Sequence, residues 1–392
     1  MYIKREIEGK IINYLSKREI IAVIGPRQSG KTTMIKQILS KFDNINHVTL
    51  DDINLLSLFK NDIKSFIELY IKNYKYVFID EIQYAEDSGK QLKFIYDTMD
   101  VKLIVSGSSA AEISIQSLKY LVGRIFVFTL YPFSYKEFLS AKNPKILELY
   151  AKQDYGKEIG SELQKYIQEF LTYGGYPRVV LAKDVEEKRL VLANIYNTLL
   201  LREIKDLFGL SENEKLVKFI KTLSNQIGNL LNYSELSSFT SITFPQVKRY
   251  LQILEETFIC QRCYSFSSNK RTEIVRTPKI YFLDHGIRNI VNDNFNSDST
   301  DKGALYENLV FSEYLKKSIE LKYWRTKSGA EVDFILNNEP IEIKSIPKTS
   351  RSFFSFIKKY QPKNGYIISE GEKGAIERDG CNISFLPFHK FI

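Results

Sequence analysis

Cysteine is scarce in this chain of 392 residues, which contains only Cys260, Cys263 and Cys381. Three thiols cannot supply the disulfide framework of a small secreted domain. The pair Cys260-Gln-Arg-Cys263 also lacks the second pair of ligands that a zinc site needs. We therefore expect a reducing compartment, with the paired cysteines serving as ordinary core or strand residues.

Long apolar runs are also missing. No segment approaches the roughly 18 consecutive apolar residues of a membrane-spanning helix. Residues 1–6 are charged and lack the apolar stretch of a secretion signal. These absences predict a cytoplasmic protein without a membrane partner. The content of 44% hydrophobic and 26% charged residues is that of an ordinary globular protein with two or three domains.

The charge balance is basic, with a formal net charge of +9 at pH 7. An excess of Lys and Arg favours a polyanionic partner such as nucleic acid. A moderately basic protein of this size is equally often just soluble. Charge alone therefore leaves both interpretations open.

Residues 21–35 have the pattern of a buried strand, a tight loop and the first turns of a helix. Gly25, Gly30, Lys31 and Thr32 stand at the G-x-x-x-x-G-K-[ST] spacing. Glycines let backbone N–H groups converge on phosphates, the lysine reaches the β and γ oxygens, and the hydroxyl holds Mg²⁺. The sequence predicts ATP and Mg²⁺ as ligands of a loop made of Gly25, Pro26, Arg27, Gln28, Ser29, Gly30, Lys31, Thr32 and Thr33.

A second strand ends in two carboxylates. Residues 76–81 read Tyr-Val-Phe-Ile-Asp-Glu, which suits Asp80 to Mg²⁺ and Glu81 to polarising the attacking water. The apolar stretch from Val101 runs out into small polar residues. Ser108, or with less support Ser106, is a candidate for contacting the water or γ-phosphate, although a plain turn explains these serines equally well.

Strands and helices alternate over residues 1–140, which predicts a mainly parallel α/β sheet with nucleotide at the carboxyl ends of its strands. Residues 141–230 have helical periodicity and are predicted to form a helical lid. Gly174-Gly-Tyr-Pro177 interrupts them and on its own reads as a helix–helix turn.

Several motifs in order resemble a known family. They are the loop at 25–32, Phe-Ile-Asp-Glu at 78–81, Ser-Gly-Ser-Ser at 106–109, Leu-Val-Gly-Arg at 121–124 and Tyr-Pro-Phe-Ser-Tyr-Lys-Glu-Phe at 131–138. Together they resemble prokaryotic AAA+-type ATPases of the archaeal, signal-transduction-like branch. The resemblance implies a homo-oligomer, a γ-phosphate contact from Arg124 in its own or a neighbouring subunit, and packing of Pro177 near the base. Taken alone, Arg124 is an exposed strand charge.

Residues 231–295 show two short helical patterns joined by a turn, the second with Lys248 and Arg249 on its polar side. With the strands that follow, they resemble a winged-helix domain. Such a unit reads DNA or serves packing, and both interpretations stay open.

Residues 303–392 form the predicted third domain. Strand alternation places Asp333 opposite its apolar neighbours and puts Glu342 and Lys344 on one face of the next strand, with Glu307 on a preceding helix. A half-buried hairpin with a polar face explains these residues at least as well as a site does. Their order resembles the PD-(D/E)xK, restriction-endonuclease-like core, which implies Mg²⁺ held by Glu307, Asp333 and Glu342, with Lys344 assisting catalysis.

Two hypotheses follow. The first is an ATPase whose nucleotide state controls a DNA-directed, metal-dependent nuclease domain. The second is an ATP-gated switch or oligomeric scaffold whose nuclease-like domain only binds a partner.

Overall fold

The computed structural model describes residues 2–85, 88–108, 120–153, 155–198, 204, 213–267, 273, 276–296, 301–371 and 374–392. The chain divides into two compact units. The first comprises residues 1–133 and 256–258, and the second comprises residues 134–255 and 259–392.

The first unit alternates strands with helices. Its strands are β1 (Ile20–Ile24), β2 (Ile45–Thr49), β3 (Tyr76–Asp80), β4 (Lys102–Gly107) and β5 (Ile125–Thr129). Its helices are α1 (Glu8–Tyr14), α2 (Lys31–Leu39), α3 (Ile53–Asn61), α4 (Ile63–Tyr70) and α5 (Ser88–Thr98), with a short 3-10 turn at Ile82–Tyr84.

All five strands are parallel, in the order β2-β3-β4-β1-β5. Strand β1 is buried along its whole length, as expected for an interior strand of a parallel sheet. A cluster that includes Met34, Ile38 and Phe78 packs helix α2 against the sheet. Parallel pairing brings the carboxyl ends of β1, β3 and β4 to one edge, as the sequence predicts.

Lys102 fixes the opposite edge of this sheet. Its ammonium donates to the backbone carbonyls of Tyr14 at 2.9 Å, Lys17 at 2.7 Å and Glu19 at 2.5 Å. Burial lowers the pKa of Lys102 to about 8. One side chain thus ties the chain between α1 and β1 to the start of β4.

Lys102→Met should therefore destabilise the protein by about 2–4 kcal/mol, because three carbonyls lose one shared charged donor. Urea denaturation of the full chain measures this loss. The matched control is Lys93→Met, which removes an exposed lysine from α5. Equal denaturation midpoints for the two variants would contradict the bracing role.

The second unit begins with helices. They are α6 (Tyr135–Lys142), α7 (Pro144–Lys152), α8 (Lys157–Tyr173), α9 (Pro177–Val180), α10 (Val185–Thr198), α11 (Asn213–Ser224), α12 (Tyr233–Thr240), α13 (Phe244–Glu256) and α14 (His285–Asn292). The helical content predicted for 141–230 is confirmed in the described parts of that stretch. Strands β6 (Cys260–Cys263) and β7 (Lys279–Phe282) pair antiparallel after the helix pair α12 and α13.

The chain ends in a mixed six-stranded sheet with the order β12-β13-β11-β10-β9-β8. Its elements are α15 (Lys302–Lys316), β8 (Lys322–Arg325), β9 (Glu331–Leu336), β10 (Glu339–Ile343), α16 (Arg351–Tyr360), β11 (Asn364–Ser369), β12 (Gly374–Arg378), β13 (Cys381–Pro387) and α17 (Phe388–Phe391). Helix α16 buries Phe353, Phe356 and Ile357 against Trp324 and Val332 of this sheet.

The three cysteines are free and buried, as the sequence predicts for core or strand residues. Burial raises the pKa of Cys263 to about 12, so this thiol is unreactive at neutral pH. Among the described helices, none combines the length and the apolar character needed to cross a bilayer.

Candidate functional site

The loop between β1 and α2 has the backbone geometry of a phosphate-binding loop. Gly25 has φ +149°, and a Cβ there would lie 2.1 Å from the carbonyl oxygen of Leu130. Gly30 has φ +95° and precedes the first residue of α2. Gly25 thus has no room for a side chain, and the positive φ of Gly30 favours glycine. The helix N-terminus points its free N–H groups at the loop. The backbone conformation of the loop therefore explains why glycines stand at positions 25 and 30.

The Lys31 side chain lies buried within the loop. Its Nζ donates to the carbonyl oxygens of Gly25 at 2.8 Å and Pro26 at 3.0 Å. Phosphate oxygens are stronger acceptors for an ammonium than neutral carbonyls are. Lys31 is thus held where a nucleotide's phosphates would compete for its charge.

Thr32 and Asp80 meet across the sheet edge. The Thr32 hydroxyl donates to Asp80 Oδ2 at 2.7 Å, Ser106 donates to Asp80 Oδ1, and His47 Nε2 lies 3.8 Å from Oδ2. Burial raises the pKa of Asp80, but the nearby His47 and the hydroxyls of Ser106 and Thr32 outweigh it, so the pKa lies below its usual value. A hydroxyl beside an ionised carboxylate suits Mg²⁺, which takes oxygen ligands and keeps several waters.

Glu81 follows Asp80 with a left-handed backbone, φ +57° and ψ +45°. Gln83 donates from Nε2 to Glu81 Oε2, and its Oε1 accepts the backbone N–H of Ser108 at 3.2 Å. The Ser108 contact is thus made by its backbone, while the Ser106 hydroxyl serves Asp80. The side-chain amide of Gln83 therefore links Glu81, the candidate base, to the end of β4.

Other loop residues are held by groups far away in sequence. Arg5 is buried and donates to the carbonyls of Ser29 at 2.7 Å and Tyr131 at 2.6 Å. The Ser29 hydroxyl is buried and lacks a hydrogen-bond partner within the described part of the chain. Arg27 donates to the Tyr84 hydroxyl at 2.8 Å. Of the remaining loop residues, Gln28 adopts φ +59° and Thr33 is exposed.

Arg124 lies at the edge of the sheet opposite the phosphate-binding loop. It immediately precedes β5, whose first residue pairs with Ile20 at the start of β1. The strands are parallel, so the sheet's length separates Arg124 from the loop that follows β1. Its guanidinium pairs instead with Asp97 at 3.0 Å. The γ-phosphate contact of Arg124 stays a prediction.

Pro177 is the first residue of α9 in the second unit. The preceding turn is pinned by Asp284, whose Oδ2 accepts the Gly175 N–H at 2.7 Å. A Cβ on Gly174 would lie 2.1 Å from Asp284 Oδ1, and Gly174 has φ +74°. The turn requires glycine for close approach, and contact of Pro177 with the nucleotide base remains a prediction.

The carboxylates of the third predicted domain come together only in part. Phe334 pairs with Ile341, so Asp333 and Glu342 stand side by side on β9 and β10. Asp333 Oδ2 accepts the Ile343 N–H at 2.8 Å, and Glu342 Oε1 accepts the Ser350 hydroxyl at 2.5 Å. Lys344 Nζ lies 3.8 Å from Glu342 Oε1. Burial raises the pKa of Glu342 to about 7.

Glu307 has different partners from those predicted. Its Oε2 accepts the Tyr281 hydroxyl at 3.0 Å and lies 3.5 Å from Lys279 Nζ. Burial, with the Asp333 charge in addition, raises the pKa of Glu307 to about 7. No set of three or more His, Cys, Asp or Glu side chains in the described ranges is placed to share one metal ion. The Mg²⁺ ligand set of Glu307, Asp333 and Glu342 stays a prediction.

Several site residues were missed by sequence reasoning. Arg5, His47 and Gln83 contact the loop or the acidic strand. Lys279 and Tyr281 contact Glu307, and Glu331 pairs with Lys279. Gln83 stands two residues after Glu81, and this spacing is the signal that could have identified it. The others join segments that are distant in sequence, and no spacing rule links them.

Comparisons with known proteins agree with the loop geometry. Residues 17–139 match the family model described as AAA domain, whereas residues 164–298 and 302–391 match two domains of unknown function (DUF8612 and DUF4143). The loop geometry and the first match together support an AAA+-type P-loop ATPase core.

Two relatives that match most of this chain are described as uncharacterised proteins. One from Methanocaldococcus jannaschii is 27% identical over 87% of this chain and 76% of its own, and one from Haemophilus influenzae is 26% identical over 83% and 81%. The chain is also similar to a Walker-type ATPase of Pyrococcus abyssi, with 13% identity, 74% and 96% coverage and a TM-score of 0.47.

Proposed function

We propose that this protein binds ATP with Mg²⁺ in the loop of residues 25–33 and hydrolyses it. The observation that carries the proposal is the 2.7 Å contact between the Thr32 hydroxyl and Asp80, adjacent to the buried ammonium of Lys31. A hydroxyl, a carboxylate and an ammonium at the N-terminus of a helix suit a metal-bound triphosphate.

Each side chain has a defined task in this reaction. Lys31 neutralises charge on the β and γ oxygens, and Thr32 with Asp80 would hold Mg²⁺, which supplies further charge stabilisation when bound. Glu81 accepts a proton from the water that attacks the γ-phosphorus, and the leaving group is ADP. Ser106 keeps Asp80 oriented and ionised through its hydrogen bond.

ATP binding by the full chain tests the proposal directly. We expect a fluorescent ATP analogue to bind in Mg²⁺ and ATP to displace it, with binding weakened when EDTA removes the metal. Thr32→Val should reproduce the EDTA effect because it keeps the side-chain volume but loses the hydroxyl. If neither EDTA nor Thr32→Val weakened binding of the ATP analogue, the assignment of Thr32 and Asp80 would be contradicted.

Gln83 is proposed as the residue that positions Glu81. Gln83→Ala should lower kcat for ATP hydrolysis by about tenfold and leave KM for ATP within about twofold, because substrate binding does not use the amide. Steady-state phosphate release measures both constants. Gln37→Ala, at an exposed position on α2, is the matched control. A change confined to KM would exclude the positioning role.

Arg124 is proposed to act from a neighbouring copy, since its own sheet separates it from its own loop. A homo-oligomer is the partner that this requires. Nucleic acid is the second proposed partner, supported by the net charge of +9 and by Lys248 and Arg249, which are exposed on α13.

For the C-terminal domain we favour a binding module over a metal-dependent nuclease. The supporting observation is that Asp333, Glu342 and Glu307 are each engaged by protein donors. Plasmid and single-stranded DNA incubated with Mg²⁺ or Mn²⁺, with and without ATP, should remain uncut. Cleavage that Asp333→Ala abolishes would instead support the nuclease.

A further inference from the structure

Arg5 joins two segments that lie far from it in the sequence. It precedes α1 and is 4% exposed. Its guanidinium donates from Nη1 to the carbonyl oxygen of Ser29 at 2.7 Å and from Nη2 to that of Tyr131 at 2.6 Å. Ser29 belongs to the phosphate-binding loop after β1, and Tyr131 follows the end of the neighbouring strand β5. One side chain from the first residues of the chain therefore ties the loop to the end of β5.

Arg5 is itself held in place by its surroundings. Its backbone N–H donates to Glu8 Oε1 at 2.6 Å, and the same oxygen accepts the Tyr2 hydroxyl at 2.5 Å. The central carbon of the guanidinium lies 4.8 Å from the centre of the Phe133 ring, where a cation is attracted to the aromatic face. The two donor nitrogens of Arg5 are therefore positioned by the protein before a nucleotide binds.

The contact with Ser29 sets the direction of one N–H group of the loop. A trans peptide is planar, and its C=O and N–H bonds point in opposite directions. The peptide bond between Ser29 and Gly30 is trans, like every other described peptide bond. Because Arg5 draws the Ser29 carbonyl toward itself, the Gly30 N–H points away from Arg5. Gly30 directly precedes α2, where backbone N–H groups are available to phosphate oxygens.

The same peptide has weak restraints apart from Arg5. The Ser29 N–H donates to the Pro26 carbonyl at 3.3 Å, which is a long hydrogen bond. The Ser29 hydroxyl is buried and has no hydrogen-bond partner among the residues that the structure describes. Gly30 has no Cβ to restrict rotation of the peptide that precedes it. Without Arg5, this peptide could turn its carbonyl oxygen toward the phosphates, which carry negative charge and would be repelled by it.

We propose that Arg5 is a positioning residue for the phosphate-binding loop. It keeps the Ser29 carbonyl turned away from the phosphates of ATP, so that the Gly30 N–H donates to them, and it does not touch the nucleotide itself. The inference rests on the proposed binding of ATP at residues 25–33. The loop N–H groups meet the phosphates in the bound substrate and in the transition state alike. Loss of Arg5 should therefore weaken ATP binding without slowing the chemical step.

Steady-state phosphate release from ATP, with binding of a fluorescent ATP analogue, tests the inference in the full chain. Arg5→Met should raise both KM for ATP and Kd for the analogue by about tenfold, with kcat within about threefold of wild type. Arg5→Lys keeps the charge but has one donor atom, which cannot span two carbonyls, so it should raise KM by a smaller factor. The matched control is Arg18→Met. Arg18 is exposed and donates to the Tyr96 carbonyl at 3.2 Å, so its loss should leave KM at the wild-type value.

A general loss of stability would give a different result from a loss of positioning. A partly unfolded variant contains less active protein, so its apparent kcat falls while KM stays unchanged. A rise in KM at nearly constant kcat therefore separates the two effects. If Arg5→Met fails to fold, Arg5→Lys decides the question by the same comparison with wild type and Arg18→Met.

Two results would overturn the inference while leaving the proposed ATPase intact. One is a folded Arg5 variant that hydrolyses ATP with the KM of wild type. The other is a variant in which kcat falls and KM does not change. Wild type that binds no ATP would instead refute the proposed function, and the inference would fall with it. That result is obtained from wild type alone, so the two failures are distinguishable.

Discussion

Replacing Lys31 with alanine should lower kcat/KM for ATP hydrolysis by about 100-fold or more. The buried ammonium lies within hydrogen-bonding distance of two loop carbonyls, where phosphates would displace it from them. Losing a preorganised charge from a site that develops negative charge in the transition state typically costs about 10²–10³ in rate. Phosphate release at varied ATP concentration measures this loss.

The control for this substitution is Lys36→Ala on the same helix. Lys36 is exposed one turn further along α2, so its loss changes the charge of the helix without touching the loop. We expect kcat/KM within about twofold of wild type for this control. A Lys31→Ala variant that matched Lys36→Ala would show that ATP is hydrolysed elsewhere.

Glu81→Gln should lower kcat by about 10²–10³-fold and leave ATP binding nearly unchanged. Glutamine fills the same volume but cannot accept the proton of the attacking water, whereas Lys31, Thr32 and Asp80 still hold the substrate. Single-turnover hydrolysis together with equilibrium ATP binding separates the two effects. The variant should therefore accumulate an ATP-bound state.

The matched control for Glu81→Gln is Glu68→Gln. Glu68 lies at the surface and pairs with Lys72 at 2.9 Å, four residues along the chain. This substitution makes the same chemical change without touching the reaction. A Glu81→Gln enzyme with wild-type kcat would remove Glu81 from the mechanism. Loss of ATP binding in Glu81→Gln would instead assign the residue a role in holding the nucleotide.

Much of the first unit could be predicted from its sequence. Strands β1, β3 and β4 are short apolar runs that end in glycine, acidic or serine residues, and both the runs and their ends lie as predicted. Such elements can be predicted from local sequence, because the phosphate loop and the acidic strand each need particular residues in a fixed order. Between β2 and β3 the sequence pattern predicts one helix, through residues 63–71. Helix α3 was missed, although Asp52 caps its N-terminus by accepting the N–H groups of Asn54 and Leu55.

Prediction was weaker in the C-terminal region. The sequence pattern predicts helices at 303–317 and 353–360 and strands near 321–325, 331–336, 340–345 and 365–369. The structure has each of these elements within a few residues of those bounds, while β12 and β13 were missed. Strand β12 is exposed along its whole length, so it lacks the alternation of buried and exposed residues that marks a half-buried strand. The pairing of β12 with β13 therefore could not be predicted from the residue pattern of β12 itself.

The candidate sites contain contacts that could not be predicted from the sequence. Arg5 contacts Ser29 from 24 residues away, and Lys279 contacts Glu331 across a domain boundary predicted near residue 300. Such contacts depend on topology, which residue spacing does not encode. The position of Arg124 also depends on topology. Only the strand pairing shows that it lies at the edge of the sheet opposite its own loop.

Phosphate release from ATP by the purified full-length wild type, compared in Mg²⁺ and in EDTA, tests the central claim most directly. The account predicts saturable release in Mg²⁺ that EDTA abolishes, because Thr32 and Asp80 are arranged to hold the metal that the triphosphate needs. Release that continues unchanged in EDTA, or no release by a protein shown to bind ATP with Mg²⁺, would contradict hydrolysis at this loop.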